Sequence, residues 1–267
     1  AKLQDLPDGQ MKQVEVGDND LEVAVRAVHD AAERLVRRGV LEAHPTFFEA
    51  LTAAAFVHMG AVRGWRPTAL LLVISFVLGG AMELLSTTTG FPFGRYEYTN
   101  MLGPRFLGLV PYVIAFAWFM MLYPSLEMAF RSGASRWFAP FLAAAALTLW
   151  DIVLEAAMTT GFACWQWLQE GSFYGVPIQN WGGWFATGFA ISALWLLTVP
   201  RRSGDFHWFP VMLYGIQSLF AATLALIYGR YLAVLLWAIG FAVLMGTVTW
   251  RNRMAETVPA TAQATED

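Results

Sequence analysis

Long runs of apolar residues, separated by short polar stretches, dominate this chain from about residue 46 to residue 250. Each run is about long enough to cross the hydrocarbon core of a bilayer, which takes about 20 residues of α-helix. The seven runs cover residues 46–62, 67–87, 107–125, 137–158, 181–199, 207–228 and 231–250. The pattern predicts an all-α fold without a sheet, a polytopic transmembrane helical bundle of about seven spans. The first run is the weakest, because Glu49 and His58 interrupt it.

Both ends of the chain have a different pattern. Apolar positions in residues 20–44 recur at helical spacing among charges, which favours an amphipathic helix on the membrane surface. An ordinary solvated helix packed on the bundle fits the same positions. We therefore predict a polar tail and amphipathic helix over residues 1–45, the transmembrane domain over 46–250 and a disordered tail over 251–267. The polar start shows no pattern of a cleavable signal peptide.

Composition agrees with a membrane location and excludes several classes of function. Apolar types make up 57% of the 267 residues and charged types 14%, whereas soluble domains carry about 25% charged residues. A net charge of −3 without a long basic run argues against nucleic acid as a partner. The one cysteine cannot form an internal disulfide, and no two histidines have a metal-ligand spacing, so we predict no metal site. The only lysines, Lys2 and Lys12, lie outside every run, which excludes a Schiff base to retinal.

Two connections between the runs are long and rich in glycine, proline and aromatic residues. They are residues 88–106 and 159–180, whereas plain connections are usually short and polar. An even number of crossings separates the two, so we expect both to cover the same mouth of the bundle. Arginines concentrate at the opposite ends of the runs, which makes that opposite face cytoplasmic by the positive-inside rule. The arginines within residues 34–38 favour the reverse orientation.

Three carboxylic acids lie within the apolar runs, where a charge at mid-bilayer costs about 2.5–3.5 kcal/mol. Glu83 lies near the end of the second run, and Asp151 and Glu155 lie near the end of the fourth. The latter two are four residues apart and share a helix face. Because the second and fourth runs have the same direction, all three acids should meet beneath the long connections. Carboxyls crowded in a low dielectric cannot all ionise, so at least one should keep its proton beside an ionised neighbour. Alternatively, they bind loop amides or pair with Arg95 or Arg105.

Aromatic residues concentrate in the same half of the bundle. Their rings could form an apolar slot and stabilise a cation, by about 2 kcal/mol each when desolvated. An interfacial belt explains some of them, but not Trp118 or Trp150, which lie deeper. Asp151 lies deepest of the acids, so we expect it to be the essential one. Since Trp150 cannot share its face, the ring over a bound molecule is expected from another helix, with Trp118 the best candidate. The other rings in this zone are Tyr112, Trp165, Trp167, Phe173, Tyr174, Trp181 and Trp184.

Four stretches of the chain resemble one known family. They are GFPFGRYEYTNMLGP (90–104), VPYVIAFAWFMMLYPS (110–125), LTLWDIVLEAAM (147–158) and YGVPIQNWGGWFATG (174–188). In this order they resemble the CruF-type carotenoid hydratases, also called bisanhydrobacterioruberin hydratase-like carotenoid biosynthesis proteins. The resemblance covers roughly residues 65–200. This chain departs from the family at Glu155-Ala156, where the family usually has Asp-Pro. The carboxyl of Glu155 therefore reaches one methylene further, which puts its role in question.

The resemblance implies addition of water across the C1=C2 double bond of an acyclic ψ end group, giving a tertiary 1-hydroxyl. The carotenoid would be of the lycopene, γ-carotene or C50 type. An acid would protonate C2, and rings with a carboxylate would hold the cation at C1. No cofactor is expected, because hydration is redox-neutral. The resemblance points to Glu83, Asp151 and Glu155 as catalytic residues and to Asn180 and Trp181 beside them. Together with the crowded rings, this predicts substrate contacts for Phe93, Tyr96, Trp118, Trp150, Tyr174, Asn180, Trp181 and Trp184.

Two other functions fit the same residues. A lycopene-cyclase-like membrane enzyme would protonate the same end group and let an internal double bond quench the cation. A carotenoid-binding or proton-coupled transport protein would use the acids as a relay, but the chain has no inverted repeat that supports transport. In each case the expected partners are the lipid and a carotenoid taken from it, in a prokaryotic cell membrane.

Overall fold

The computed structural model describes residues 45–159, 163–199 and 207–257. The predicted N-terminal tail and amphipathic helix lie outside the described residues, as does the part of the predicted C-terminal tail beyond residue 257. Residues 251–257, which were predicted to be disordered, are helical. Within them the chain forms seven helices, one for each predicted run, which confirms the all-α helical bundle. They are α1 (Pro45–Arg63), α2 (Trp65–Thr89), α3 (Tyr112–Arg131), α4 (Ala139–Met158), α5 (Gln179–Thr198), α6 (Phe209–Ile227) and α7 (Tyr231–Thr257).

Five of these helices are long and apolar enough to cross a membrane: α2, α3, α4, α6 and, over Tyr231–Arg251, α7. The predicted count of seven spans is therefore confirmed for five. The other two helices, α1 and α5, are not among the five. Glu49 and His58 interrupt α1, and α5 begins with Gln179 and Asn180.

The helices α3 and α4 form the centre of the bundle. The surrounding protein buries 78% of the most apolar stretch of α3 and 67% of that of α4, but only 28% of that of α2 and 17% of that of α7. The helix α4 packs against α3, α5, α6 and α7, and α3 also packs against α1. Since intramembrane charges occur almost only where protein surrounds them, α4 is a suitable carrier for Asp151 and Glu155.

The helix α2 changes its winding half-way along. It is α-helical over Trp65–Ile74 and Gly80–Thr89, with a π-helical turn at Ser75–Gly79 between them. This turn packs against α3, and a Cβ at Gly79 would lie 2.5 Å from the ring of Trp118. Only glycine permits that approach. Single π turns are frequent at functional sites, and this one directly precedes the turn of α2 that carries Glu83.

Four short strands lie in the long connections: β1 (Tyr96–Tyr98), β2 (Arg105–Phe106), β3 (Val110–Pro111) and β4 (Trp165–Trp167). β2 pairs with β3, and β1 pairs antiparallel with β4 across the two connections. The prediction that both connections cover one mouth of the bundle is thereby confirmed. The expectation of no sheet is wrong, because backbone groups folded over the bundle need hydrogen-bond partners, which short strands supply.

The pair β1 and β4, named here the cap sheet, alternates between buried and exposed side chains. Tyr96, Tyr98 and Trp165 are buried, whereas Glu97 and Gln166 are exposed. In the register, Tyr96 lies opposite Trp167 and Tyr98 opposite Trp165. Because side chains alternate along a strand, the cap sheet turns four aromatic side chains toward the bundle.

Candidate active site

A narrow cavity of about 40 Å³ lies beneath the cap sheet, among α2, α3, α4 and α5. Its wall is mostly apolar and aromatic. Two carboxyl groups, of Glu83 and Glu155, and the amide of Asn180 also line it. A space of this size holds about three water molecules. Five of the predicted substrate contacts line it: Phe93, Tyr96, Trp150, Asn180 and Trp184.

Glu83 on α2 accepts hydrogen bonds from three side chains. Its Oε2 accepts from the hydroxyl groups of Tyr96 and of Tyr98, the latter at 2.7 Å, and its Oε1 accepts from Nε1 of Trp118 at 3.1 Å. A buried carboxylate is costly unless it is hydrogen-bonded. Three donors on two oxygens suit the ionised form, which only accepts. This arrangement can hold a negative charge at the cavity wall.

The two phenols that bind Glu83 remain donors at any ordinary pH. Burial raises the pKa of Tyr96 and of Tyr98 well above the usual range, and the neighbouring charge of Glu83 raises both further. Both hydroxyl groups therefore stay protonated. β1 thus supplies Glu83 with two neutral hydroxyl donors that stay protonated at physiological pH.

Glu155 on α4 is held from the other strand of the cap sheet. Its Oε2 accepts from Nε1 of Trp165 at 3.1 Å and from Nε1 of Trp167 at 3.2 Å. The inward side chains of β4 therefore bind one acid, as those of β1 bind the other. Because β1 and β4 pair in one register, the cap sheet fixes the positions of both acids together.

Asp151 is fully buried but does not form part of the cavity wall. Its Oδ2 accepts from Nδ2 of Asn180 at 2.9 Å. Trp150, Leu154 and Met158, each one turn apart on α4, line the cavity. Asp151 therefore lies on the side of α4 that faces α5. Trp150 and Asp151 do not share a face, as expected, but it is Trp150 that lines the cavity, whereas Asp151 reaches it through Asn180.

Four aromatic rings form a continuous apolar cluster, and three of them, Phe93, Trp150 and Trp184, line the cavity. Trp184 stacks on Trp118, with ring centroids 4.3 Å apart, and meets Trp150 edge-on at 6.0 Å. Phe93 packs against both Trp118 and Trp184. Trp118 lies behind Trp184 and donates to Glu83, so the ring next to the cavity is Trp184 rather than the expected Trp118. Ring faces so placed can stabilise a cation.

Tyr174 and Trp181 are not brought to this cavity. The guanidinium of Arg230 lies over the ring of Tyr174, 4.8 Å from its centroid, and the Tyr174 hydroxyl accepts from the N–H of Leu232. Trp181 meets Phe173 edge-on at 5.1 Å. Both residues pack the second long connection, so the geometry gives no support to their predicted substrate contacts.

Arginine does not pair with the three acids in the part of the chain that the structure describes. Their donors are phenols, indoles and one amide. Arg105 instead donates to Asn100 at 2.8 Å, and Arg95 is exposed. The alternative interpretation of ion pairs with these arginines is therefore wrong. Within residues 45–159, 163–199 and 207–257, no group of three His, Cys, Asp or Glu side chains could hold a metal ion.

Tyr98, Trp165 and Trp167 bind the cavity acids but were not among the predicted site residues. The sequence does carry a signal for them. Tyr96-Glu97-Tyr98 and Trp165-Gln166-Trp167 both alternate aromatic and polar residues, which is the pattern of a half-buried strand. Strands of three residues are too short for this pattern to be distinctive.

The comparisons with known proteins agree with this geometry. A family model described as "Carotenoid biosynthesis protein" matches residues 45–246. The bisanhydrobacterioruberin hydratase of Haloarcula japonica is 33% identical over 129 residues, which are 46% of this chain and 43% of that protein. The match thus spans less than half of the relative. No solved structure matches the chain.

Proposed function

Since the match over residues 45–246 shows that this chain belongs to the carotenoid biosynthesis protein family, we propose that it is a carotenoid hydratase of a prokaryotic cell membrane. It would add water across the C1=C2 double bond of an acyclic ψ end group to give a tertiary 1-hydroxyl. One observation carries the proposal: two acids from different helices, Glu83 and Glu155, line one narrow, aromatic cavity. One acid is needed to give and take back a proton, and the other, as a carboxylate, to stabilise the cation.

The first step requires an acid that keeps its proton in an apolar site. Asp151 and Glu155 are one helical turn apart in a buried segment, and two carboxyls so placed cannot both ionise. Of the two, Glu155 lines the cavity. Its proton passes to C2, where the π electrons of C1=C2 form the new C–H bond. The tertiary C1 is left as a cation.

The second step captures this cation. The carboxylate of Glu83 and the ring faces of Trp150 and Trp184 stabilise the charge at C1. A water lone pair then forms the C–O bond, and the surplus proton of that water returns to the carboxylate of Glu155. The cycle consumes one water for each end group and restores both acids.

Asn180 positions the attacking water. Its Nδ2 is engaged by Asp151, which turns the carbonyl oxygen of the same amide away from Asp151 and leaves it as a water acceptor. Asp151 thereby contributes through Asn180 and, as the carboxyl one turn from Glu155 on α4, by disfavouring ionisation of both acids at once. Both roles make Asp151 essential without placing it on the cavity wall.

Expression in a lycopene-accumulating bacterium, followed by mass spectrometry of the pigments, tests the proposal. The expected product is heavier than lycopene by one water for each reacted end, and Glu83→Gln or Glu155→Gln should abolish it. Glu97→Gln is the matched control, because Glu97 lies on the outward side of the cap sheet and should retain the product. Unchanged lycopene beside membrane-inserted protein would refute the proposal.

A cyclase-like reaction is the second candidate, because the same acids could protonate the end group and leave an internal double bond to quench the cation. The amide of Asn180 on the cavity wall, which could position a water, favours hydration. A product of the same mass as lycopene would identify the cyclase. Unchanged pigment that copurifies with the protein would identify a carotenoid-binding protein.

A further inference from the structure

A polar groove of about 450 Å³ opens beside β4. Its wall includes Thr159, Gln166, Trp167, Gln169, Glu170 and Tyr174. Several side chains on this wall donate and accept hydrogen bonds, and the wall is much more polar than that of the acid cavity. The groove is therefore suited to water, and the cavity to the end of a polyene.

One side chain separates the groove from the acid cavity. Trp167 lines the groove, and its Nε1 donates to Oε2 of Glu155, which lines the cavity. Thr159 also lines the groove, and its hydroxyl donates to the backbone carbonyl of Glu155 at 2.7 Å. Glu155 is thus one residue away from the groove on two sides. The donors to Glu83, by contrast, are Trp118 and the tyrosines of β1, and none of them lines the groove.

Trp167 is fixed in place by its neighbours. Its ring meets that of Tyr96 edge-on at 5.1 Å. A Cβ at Gly94 would lie 2.9 Å from Cζ3 of Trp167, and Gly94 has a φ of +117°, which favours glycine. The backbone at Gly94 thus makes room for the indole, which therefore forms a fixed partition rather than a loose surface side chain.

We propose that water enters the acid cavity from this groove beside Trp167, so that Glu155 is the acid in exchange with the aqueous phase. The inference rests on the proposed function, which requires a polyene from the lipid and water from outside it. The hydrocarbon core contains no water to supply the reaction. Entry at Glu155 makes this residue the proton donor and the acceptor of the returning proton, and it leaves Glu83 as the standing carboxylate.

The reactivity of cysteines placed at the two acids tests this route without any substrate. Glu155→Cys and Glu83→Cys are reconstituted in nanodiscs and exposed to Ag⁺ in chloride-free buffer. After desalting, the protein is denatured and its free thiols are counted with a maleimide dye. The native Cys164 is an internal reference, because burial raises its pKa to about 12 and keeps the thiol protonated. It should stay unblocked by Ag⁺ and give one label per chain.

Ag⁺ is expected to block the introduced thiol of Glu155→Cys about tenfold faster than that of Glu83→Cys, equivalent to a barrier lower by about 1.4 kcal/mol. Adding Trp167→Ala should accelerate blocking at position 155 further. Leu168→Ala is the control, because Leu168 lines the same groove without contacting Glu155. Blocking at position 83 as fast as at position 155 would overturn the proposal.

Two features keep this test decisive. If Trp167→Ala unfolds the protein, Cys164 becomes reactive too, and the comparison of positions 155 and 83 with Trp167 intact still decides. Accessibility also does not depend on the reaction. A chain that opens at Glu155 but makes no hydroxylated pigment would refute the hydratase and leave the route, whereas the converse result would refute the route alone.

Discussion

Replacing Gly183 by alanine places a methyl group where α5 meets the first long connection. The new Cβ would lie 2.5 Å from Cδ1 of Phe93 and 3.0 Å from the backbone of Pro92. The backbone cannot yield cheaply, so Phe93 must leave its position against Trp118 and Trp184. Phe93 lines the cavity, and its displacement should lower hydration as well as stability.

The neighbouring Gly182 provides a matched control, because a Cβ there would meet nothing within 4 Å. Both positions lie in α5, where alanine is favoured over glycine by about 0.8–1.0 kcal/mol. Gly182→Ala should therefore raise the Tm by about 2–4 °C for a domain of this size. Overpacking at Gly183 costs about 1–3 kcal/mol, which offsets or exceeds the same gain.

Thermal unfolding in detergent, followed by tryptophan fluorescence, measures the difference between the two variants. The Tm of Gly183→Ala should lie about 2–12 °C below that of Gly182→Ala, and only Gly183→Ala should lose hydroxylated product. Equal Tm values and equal product would show that Phe93 does not pack against α5 as described, and the reasoning about the cavity wall would fail with it.

Four further predictions concern the buried polar groups. Tyr98→Phe removes one of the donors to Glu83, a bond to a charged group worth about 1.5–3 kcal/mol, so the kcat of hydration should fall while KM stays; an unchanged kcat would show that the donor is dispensable. Since burial raises the pKa of Tyr98, its own contribution to stability should be constant at neutral pH and decrease as pH rises above about 10, the usual phenol pKa, and unfolding titrations should show that Tyr98→Phe weakens the decrease above that pH. Asp151→Asn should give a folded, membrane-inserted protein without hydroxylated pigment, and near-normal product would make Asp151 structural. Glu127→Gln weakens a partly buried two-bond pair with Arg63 and should lower the free energy of unfolding by about 1.5–3 kcal/mol, whereas the product from the folded fraction should be retained.

The helices and the meeting of the acids could be predicted because both follow from local rules. Apolar runs of bilayer length specify the helices, and the direction of alternate helices places Glu83 and Glu155 at the same end of the bundle. These inferences need only the rise of an α-helix and the number of crossings. They do not depend on how any side chain packs.

The arrangement around the acids could not be predicted in the same way, because it depends on tertiary packing. The packing of α4 against α3 and α5 determines which face of α4 meets the cavity. As a result, Trp150 lines the cavity, whereas Asp151 lies behind Asn180. The pairing of Tyr96 with Trp167 joins residues far apart in sequence. In the sequence, the only sign of this pairing is the alternation of aromatic and polar residues, which is weak in segments of three residues.

The register of the cap sheet constrains how this protein can change during evolution. A shift of one residue in β1 would turn Glu97 toward Glu83 and carry both tyrosines outward, because side-chain direction reverses with each residue. A single insertion or deletion between Gly90 and Tyr96 should therefore be far more harmful than one in an ordinary surface loop. Chimaeras between relatives should tolerate exchange of the two long connections only when both are transplanted together, so that they are inherited as one unit.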